Sequence, residues 1–460
     1  MVPFWGKRYR DYFVDLCLPS LLAPNNIALL RAEDGHRFLI ATTTEDWRAI
    51  ENLPIMNRLR QHATPTWIEV SGPLGATDVS AYDNYQTVII KHQNHCQKKL
   101  VEAAYQRRSY GSLLFPDVIY SDFMIASLIK LARAGYHFVL LPALRQIEED
   151  VLDDLTRLGY LPSGARLSLT GEALAIPQRA LAEMAVRHLH PEMLLFDQSK
   201  PVQPFHVPFR YWPIAGGRGL ILHSFFGCIA LIDFQVVSAN HADCLDQGAF
   251  ENVYASSNFA QSERIHIIND SDEFALVSLT PRAVNWAPPL VEALRGPWWA
   301  PELKRLRNIR ETMWIYAGAN RDVVRRDLFR VPIRWHSGEL DRVWAKEARR
   351  IERMISCAVG DYFSVSRAPN RHRFPSRPNL LDLYAQMNGV KAFFVHRLAS
   401  AKTFLRKCVD FLRKRLELVR RLWLVLRGDP AARRWLTWRI HVLRRQLQGH
   451  KTHPPRPDVP

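Results

Sequence analysis

The chain has 460 residues, of which 47% are hydrophobic and 11% aromatic, so it can bury a sizeable core and a mostly disordered protein is excluded. Its 6 cysteines form no Cys-x-x-Cys pair, which argues against a zinc knuckle or a disulfide framework and predicts reduced thiols. The net charge of +17 is concentrated in residues 391–460, where 18 Lys and Arg against 4 Asp and Glu give +14, leaving +3 for the other residues.

The N-terminal residues predict strands that alternate with helices, the pattern of a mostly parallel α/β sheet flanked by helices. They lack the apolar core of a signal peptide, and no run is long enough to span a bilayer, so we expect a cytoplasmic protein. The predicted strands lie at 3–6, 36–43, 65–70 and 137–144, and the predicted helices at 8–23, 85–108 and 124–135.

The segment LLFPDVIYSDF, residues 113–123, is the most informative part of this unit. It reads as an apolar strand that ends at Asp117 and continues apolar to Asp122. A buried strand with a carboxylate at its C-terminal end is how open α/β sheets present acids to ligands. Asp117 is therefore a candidate functional acid, with a turn residue as the alternative. Asp122, just before a helix, is best interpreted as a helix N-cap.

Beyond residue 150 the pattern changes. Residues 151–210 have mostly helical spacing, and residues 211–279 are rich in strands, among them one or two buried strands in LILHSFFGCIALI. Further helices are predicted at 298–315 and 340–357. Residues 366–390 include a stretch rich in turn formers and Arg, and we predict a linker there.

Residues 391–460 are predicted to form a basic, amphipathic helical tail. Leu398, Leu405 and Leu412 recur every seven residues, and Asp429-Pro430 begins a second helix. Apolar residues on one face and Arg on the other suit an anionic membrane surface. The alternatives are a helical hairpin packed on the body and nonspecific binding of nucleic acid. We rank the membrane surface first and nucleic acid last.

The order of motifs in the first 150 residues resembles nucleotide-sugar-dependent glycosyltransferases of the GT-A fold. The likeness is carried by Trp5, Gly6 and Tyr9, by LPSLLAP at 18–24, and by FLIATTTED at 38–46. It is weaker over residues 160–280 and absent from the tail. The resemblance implies a nucleotide-sugar-binding half at residues 1–150, with Trp5 and Gly6 at the donor, and an acceptor-side half of the same domain at 151–365.

In that fold the strand before the cleft ends in Asp-x-Asp, and the carboxylates hold a divalent metal, Mn²⁺ or Mg²⁺, that neutralises the leaving diphosphate. When the motif is aligned with this chain, its second acid corresponds to Asp117. Phe115 occupies the position of the first acid, so one of the two usual carboxylates is missing. The resemblance thus implies donor or metal binding at Asp117, with His223 as a second ligand or else a core histidine. Arg145 is a candidate for the donor phosphates or a surface residue.

A second acidic cluster, Asp270-Ser271-Asp272-Glu273, follows the strand IHII. Taken alone, it matches Asp-x-Asp better than Asp117 does. A carboxylate here would serve as the base that activates an acceptor hydroxyl or as a metal ligand, and the alternative is a solvated turn. Asp246 resembles an acid in a Leu-Asp-Gly segment of the same family and is a further candidate catalytic residue.

The sequence therefore predicts a glycosyltransferase that moves a sugar from a nucleotide-sugar donor to a glycan or lipid-linked acceptor. It is expected in the cytoplasm, with its tail attaching it peripherally to the inner membrane. The alternative is a non-catalytic protein on the same scaffold that binds a membrane surface or nucleic acid through the tail. Phe115 in place of the expected acid favours this alternative.

Overall fold

The computed structural model describes residues 1–71, 85–164, 166–200, 209–225, 227–236, 264–284, 301–313 and 328–364, with the shorter pieces 202–204, 207, 291–293, 427, 430, 433, 436 and 437. The chain divides into two compact units, Met1–Ser376 and Arg377–Pro460. The predicted linker and nearly all of the predicted basic tail lie outside the described residues. Within the described part, no helix has the length and apolar character needed to cross a membrane.

The described residues form a mixed α/β fold with several small sheets. The strands are β1 (Val2–Pro3), β2 (Arg37–Thr42), β3 (Thr64–Glu69), β4 (Tyr110–Gly111), β5 (Val118–Tyr120), β6 (Phe138–Leu141), β7 (Arg145–Ile147), β8 (Val202–Pro204), β9 (Phe209–Ile214), β10 (Gly219–Ser224), β11 (Cys228–Asp233), β12 (Ile265–Ile267), β13 (Leu276–Thr280), β14 (Val291–Ala293) and β15 (Ile333–His336). The helices are α1 (Gly6–Tyr12), α2 (Leu18–Leu21), α3 (Thr44–Ile50), α4 (Pro54–Arg60), α5 (Tyr85–Tyr105), α6 (Met124–Arg133), α7 (Glu148–Arg157), α8 (Leu167–Thr170), α9 (Gln178–Arg187), α10 (Pro301–Met313) and α11 (Arg342–Ser364).

The prediction of a single, mostly parallel GT-A-like sheet was wrong. One sheet is wholly parallel, in the order β1-β2-β3, and a second has the order β12-β6-β11-β4. The others are β5-β13-β7, the antiparallel sheet β15-β10-β9 and the pair β14-β8. The physical reason for the error is that apolar spacing marks a segment as a strand but carries no information about its partner or direction.

Backbone hydrogen bonds of Met1 bring the first two sheets edge to edge. The Met1 amine donates to the carbonyl of Ser112 at 2.8 Å, and the N–H of Leu114 donates to the carbonyl of Met1 at 2.8 Å. The resulting series is β3-β2-β1, residues 110–114, then β11-β6-β12. In this series β11 alone runs antiparallel. The carboxyl ends of its other strands therefore face one edge.

Strand β2 shows how the core is divided between the two faces of the sheet. Phe38 and Ile40 pack in a large apolar cluster with Phe13, whereas Leu39 and Ala41 pack in a smaller cluster on the opposite face. A strand buried on both faces reads as a continuous apolar run, as expected for a parallel sheet. Helix α5 supplies buried residues to the smaller cluster and so covers that face.

Asn26 ties three parts of the fold together. Its Nδ2 donates to the carbonyls of Ser20 at 2.9 Å and Ser121 at 3.0 Å, and its Oδ1 accepts the N–H of Ile125 at 2.9 Å. The side chain is fully buried. Its amide therefore pairs backbone groups at the end of α2, after β5 and in the first turn of α6.

We expect Asn26→Ala to lower the free energy of unfolding by about 3 kcal/mol, because it leaves several buried backbone groups without partners. Urea denaturation followed by circular dichroism would measure the loss. Asn57→Ala, at an exposed position of α4, is the matched control and should change stability by less than about 0.5 kcal/mol. Equal midpoints for Asn26→Ala and the wild type would contradict this role.

Candidate functional site

The second acidic cluster lies in a turn that is fixed against β15. The N–H of Arg334 donates to the carbonyl of Asn269 at 2.8 Å, and the N–H of Ser271 donates to the carbonyl of Arg334 at 2.9 Å. These bonds form an isolated parallel bridge between Asp270, three residues past the end of β12, and Arg334 of β15. Because β15 ends two residues later at His336, the strand delivers an imidazole to the acidic turn.

Asp270, Asp272 and His336 form a group of potential metal ligands. One ligand atom from each lies within 4.8 Å of the others. His336 Nε2 is 2.9 Å from Asp270 Oδ1, and its Nδ1 is 2.5 Å from the carbonyl of Gly338. A metal-binding histidine commonly donates its second ring N–H to a carbonyl or carboxylate, which fixes the ring. Gly338 fills that role and leaves Nε2 directed at the carboxylate.

Arg179 of α9 neutralises the second acid of the cluster. Its Nε and Nη2 donate to the two carboxylate oxygens of Asp272 at 3.0 and 2.9 Å. The N–H of Asp272 in turn donates to Asp270 Oδ1 at 3.0 Å. The bidentate fork is the geometry in which an Arg–carboxylate pair is most specific. Arg179 and His336 thus hydrogen-bond the two acids, and the charge of Arg334 also acts on Asp270.

The pairing shifts the titration of Asp270 and His336 in opposite directions. Burial acts to raise the pKa of Asp270, but the hydrogen bonds from His336 and from the N–H of Asp272 outweigh it and lower that pKa below 3.8. Burial acts to lower the pKa of His336, but its bonds to Asp270 and Gly338 outweigh it and raise that pKa above 6.5. Since a carbonyl and a carboxylate both accept hydrogen bonds, this pairing favours the protonated imidazole, and a metal ion at Nε2 would have to displace that proton.

Stability should depend on pH through this ion pair. The raised pKa of His336 contributes stability that is complete below pH 6.5 and is lost as the pH rises through the folded value. The lowered pKa of Asp270 contributes stability present above pH 3.8 and lost in more acidic solution. We expect His336→Gln to destabilise the protein by about 1–2 kcal/mol at pH 5.5 and by less at pH 8.5. Urea denaturation at both pH values measures this; a loss that does not depend on pH would contradict the charge assignment.

Close packing fixes the end of β15 that carries His336. Gly219 of β10 pairs with His336 in the ladder, and a Cβ at residue 219 would lie only 2.4 Å from the ring of Trp344 and 2.5 Å from the carbonyl of Trp335. Only glycine fits there. The rings of Trp344 and His336 lie 5.7 Å apart. The histidine is therefore held by packing as well as by its hydrogen bonds.

The structure corrects the interpretation of residues 113–123. Residues 113–117 form no strand, and Asp117 lies in the turn before β5, not at the end of a strand. Its carbonyl accepts the N–H of Leu279 at 2.9 Å. Asp122 is not the N-cap of α6, which is Phe123. It instead accepts hydrogen bonds from the backbone and the side chain of Asn25 at 2.8 and 2.9 Å.

Asp117 and the acidic turn follow different strands of the same series. Asp117 comes after residues 110–114, and Asp270 comes after β12, with β11 and β6 between them. Three strand spacings amount to about 14 Å. Both acids follow strands whose carboxyl ends face the same edge, where an open sheet binds ligands, but Asp117 supplies no ligand atom to the group formed by Asp270, Asp272 and His336 in the described part of the chain.

His223 has the surroundings of a core histidine. It is fully buried on β10, its Nδ1 lies 2.8 Å from the carbonyl of Phe329, and its ring meets the edge of Trp212. Burial lowers its pKa to about 4. It stands four residues along β10 from Gly219, the partner of His336, so it does not join the acidic group.

The remaining predicted residues that the structure describes supply no ligand atom to the group. Trp5 and Gly6 follow β1 rather than forming a strand; the N–H of Gly6 donates to Asp46 at 2.8 Å. Arg145 lies 3.6 Å from Glu192. Glu273 accepts a hydrogen bond from His266 at 2.7 Å, and Asp246 lies outside the described residues.

Sequence reasoning found two of the three potential ligands and missed His336 and Arg179. The signal for His336 was a histidine at the end of the strand IRWH, but His336 and Asp270 are 66 residues apart in the sequence. Arg179 lies in a helix with other charged residues, and nothing in the pattern distinguishes it. No protein-family model matches this chain, and a search of curated proteins finds no match to it.

Proposed function

We propose that this protein is a metal-dependent glycosyltransferase that uses a nucleotide-sugar donor, with Asp270, Asp272 and His336 as the metal ligands. The observation that carries the proposal is the convergence of these three ligand atoms within 4.8 Å. Two carboxylates and one imidazole suit a divalent ion such as Mn²⁺, and the Gly338 carbonyl orients the imidazole. This assignment replaces Asp117 and His223 as the proposed ligands.

The arrangement of the sheet supports a nucleotide-sugar donor. The carboxyl ends of β1 and β12 belong to the same edge of the strand series, so Trp5 and Gly6 share that edge with Asp270. A divalent metal at Asp270-Ser271-Asp272 would supply the positive charge that a departing diphosphate requires. Trp5 and Gly6 would contact the donor.

Glu273 is the residue that we propose as the acceptor base. It follows the two metal ligands directly, and its carboxylate is held by His266 at 2.7 Å. The residue is partly exposed, so an acceptor hydroxyl can reach it. A carboxylate that removes a proton from this hydroxyl would raise its nucleophilicity toward the sugar carbon.

Metal binding is tested by thermal unfolding with Mn²⁺ alone and with nucleoside diphosphates in the presence and absence of Mn²⁺. At 100 times its dissociation constant, a ligand stabilises the folded state by about 2.7 kcal/mol, which corresponds to a Tm increase of about 3 °C for a domain of this size. We expect that increase with Mn²⁺ and a further one with a diphosphate. No shift with any of them would refute the proposal.

The basic tail supports a second, independent proposal about location. Its +14 charge and its heptad of Leu residues suit an anionic membrane surface, where a lipid-linked acceptor would be found. Flotation with liposomes of anionic and of neutral composition would compare the full chain with one that ends at Asn379. We expect flotation of the full chain on anionic liposomes only. Equal flotation of both chains would exclude the tail as the anchor.

A further inference from the structure

We infer that Arg179 is an internal competitor for the metal: it holds Asp272 in the metal-free protein, and metal binding releases it toward a phosphate group of the substrate. This inference rests on the proposed metal site. It adds a residue that senses metal occupancy and links it to substrate binding.

The contact of Arg179 occupies a proposed metal ligand. Both oxygens of Asp272 accept from the guanidinium, at 3.0 and 2.9 Å, and one oxygen of Asp272 lies within 4.8 Å of the ligand atoms of Asp270 and His336. A divalent cation bound there would draw on the same negative charge. The two cations therefore compete for one carboxylate.

The ion pair between Arg179 and Asp272 is exposed enough for a metal ion to replace Arg179. The side chains of Arg179 and Asp272 are 50% and 42% exposed, so water solvates both partners when they separate. Exposed ion pairs contribute about 1 kcal/mol or less. A divalent ion that Asp270 and His336 also bind would displace such a contact, whereas a buried pair would resist displacement.

Arg179 lies at the N-terminus of α9, where Asp272 favours a positive charge and the helix does not. Arg179 is the second residue of α9, and a positive charge at a helix N-terminus is disfavoured by the helix dipole. Arg187 at the other end of α9 has the favoured placement and pairs with Asp154 and Glu183. Once separated from Asp272, Arg179 would bind another anion close to the metal ligands, and a phosphate group fits its planar fork.

The first test measures Mn²⁺ binding by electron paramagnetic resonance of the free ion, without substrate. We expect Arg179→Gln to bind Mn²⁺ about threefold to fivefold more tightly than the wild type, and the difference to shrink at high salt. Arg179→Lys should lie between them, because it keeps the charge but not the fork. Arg187→Gln removes a charge from the same helix and should bind like the wild type.

The second test follows the release of Arg179 directly. The rate at which phenylglyoxal modifies each arginine is measured by mass spectrometry, with and without Mn²⁺. We expect Mn²⁺ to speed the modification of Arg179 severalfold and to leave that of Arg187 unchanged.

The two proposals fail in different ways. If the wild type binds no Mn²⁺, the metal site itself is refuted, and the inference with it. If the wild type binds Mn²⁺ but Arg179→Gln has the same or a lower affinity, or modification of Arg179 does not respond to Mn²⁺, the competitor role is overturned and the metal site stands.

Discussion

Asp270→Asn should lower the affinity for Mn²⁺ by at least about 100-fold. The substitution keeps the size of the side chain but removes the negative charge that faces His336 and the proposed metal position. It also leaves a neutral amide in a half-buried site where the carboxylate oxygen accepts bonds from His336 and from the N–H of Asp272. Loss of one charged ligand out of three accounts for a reduction of this size. Isothermal titration calorimetry with Mn²⁺ measures it.

Controls separate the loss of a ligand from a general change in charge. Asp34→Asn removes one negative charge at an exposed surface site and should bind Mn²⁺ like the wild type. His336→Gln should lose affinity to a similar extent as Asp270→Asn, because it removes the third ligand. If Asp270→Asn and Asp34→Asn bound Mn²⁺ equally well, the three residues would not form a metal site.

Trp335→Ala should lower the free energy of unfolding by about 3–5 kcal/mol, the cost of emptying a large, fully packed core position. Trp335 is among the largest fully buried side chains, and it lies on β15 between Arg334 and His336. Its loss would loosen the strand that carries His336. Mn²⁺ affinity should therefore fall together with stability. Denaturation in urea and calorimetry with Mn²⁺ would measure the two effects.

The matched control is Val343→Ala, an exposed apolar position of α11, which should change stability by less than about 0.5 kcal/mol. Trp335→Phe fills most of the volume and should recover much of the stability and the metal affinity. If Trp335→Ala were as stable as the wild type, the packing that positions β15 would lie elsewhere.

The sequence predicted helices most reliably. A helix expected at 85–108 is α5 (Tyr85–Tyr105), and the one expected at 298–315 is α10 (Pro301–Met313). The strand expected at 137–144 contains β6. These predictions succeed because helix periodicity, capping and apolar runs are properties of neighbouring residues.

Pairings between distant segments could not be predicted in the same way. LILHSFFGCIALI does contain two buried strands, β10 and β11, but they belong to different sheets. Asp117 was expected at the end of a strand, but it precedes β5. Residues 113–115 make hydrogen bonds to Met1 and Tyr120 without forming a regular strand. Apolar character alone does not show whether a segment forms a regular strand or which sheet the strand joins.

For the candidate site, the sequence by itself identified the acidic turn, since Asp-x-Asp after an apolar strand is a local pattern. The sequence shows the acids at residues 270–273 and predicts the strand that precedes them. Only the tertiary structure decided which residues meet that turn. His336 arrives from β15 and Arg179 from α9, through backbone pairing and packing that join segments far apart in the chain. Contacts of this kind depend on the strand register and on close fits such as that at Gly219, which no local pattern encodes.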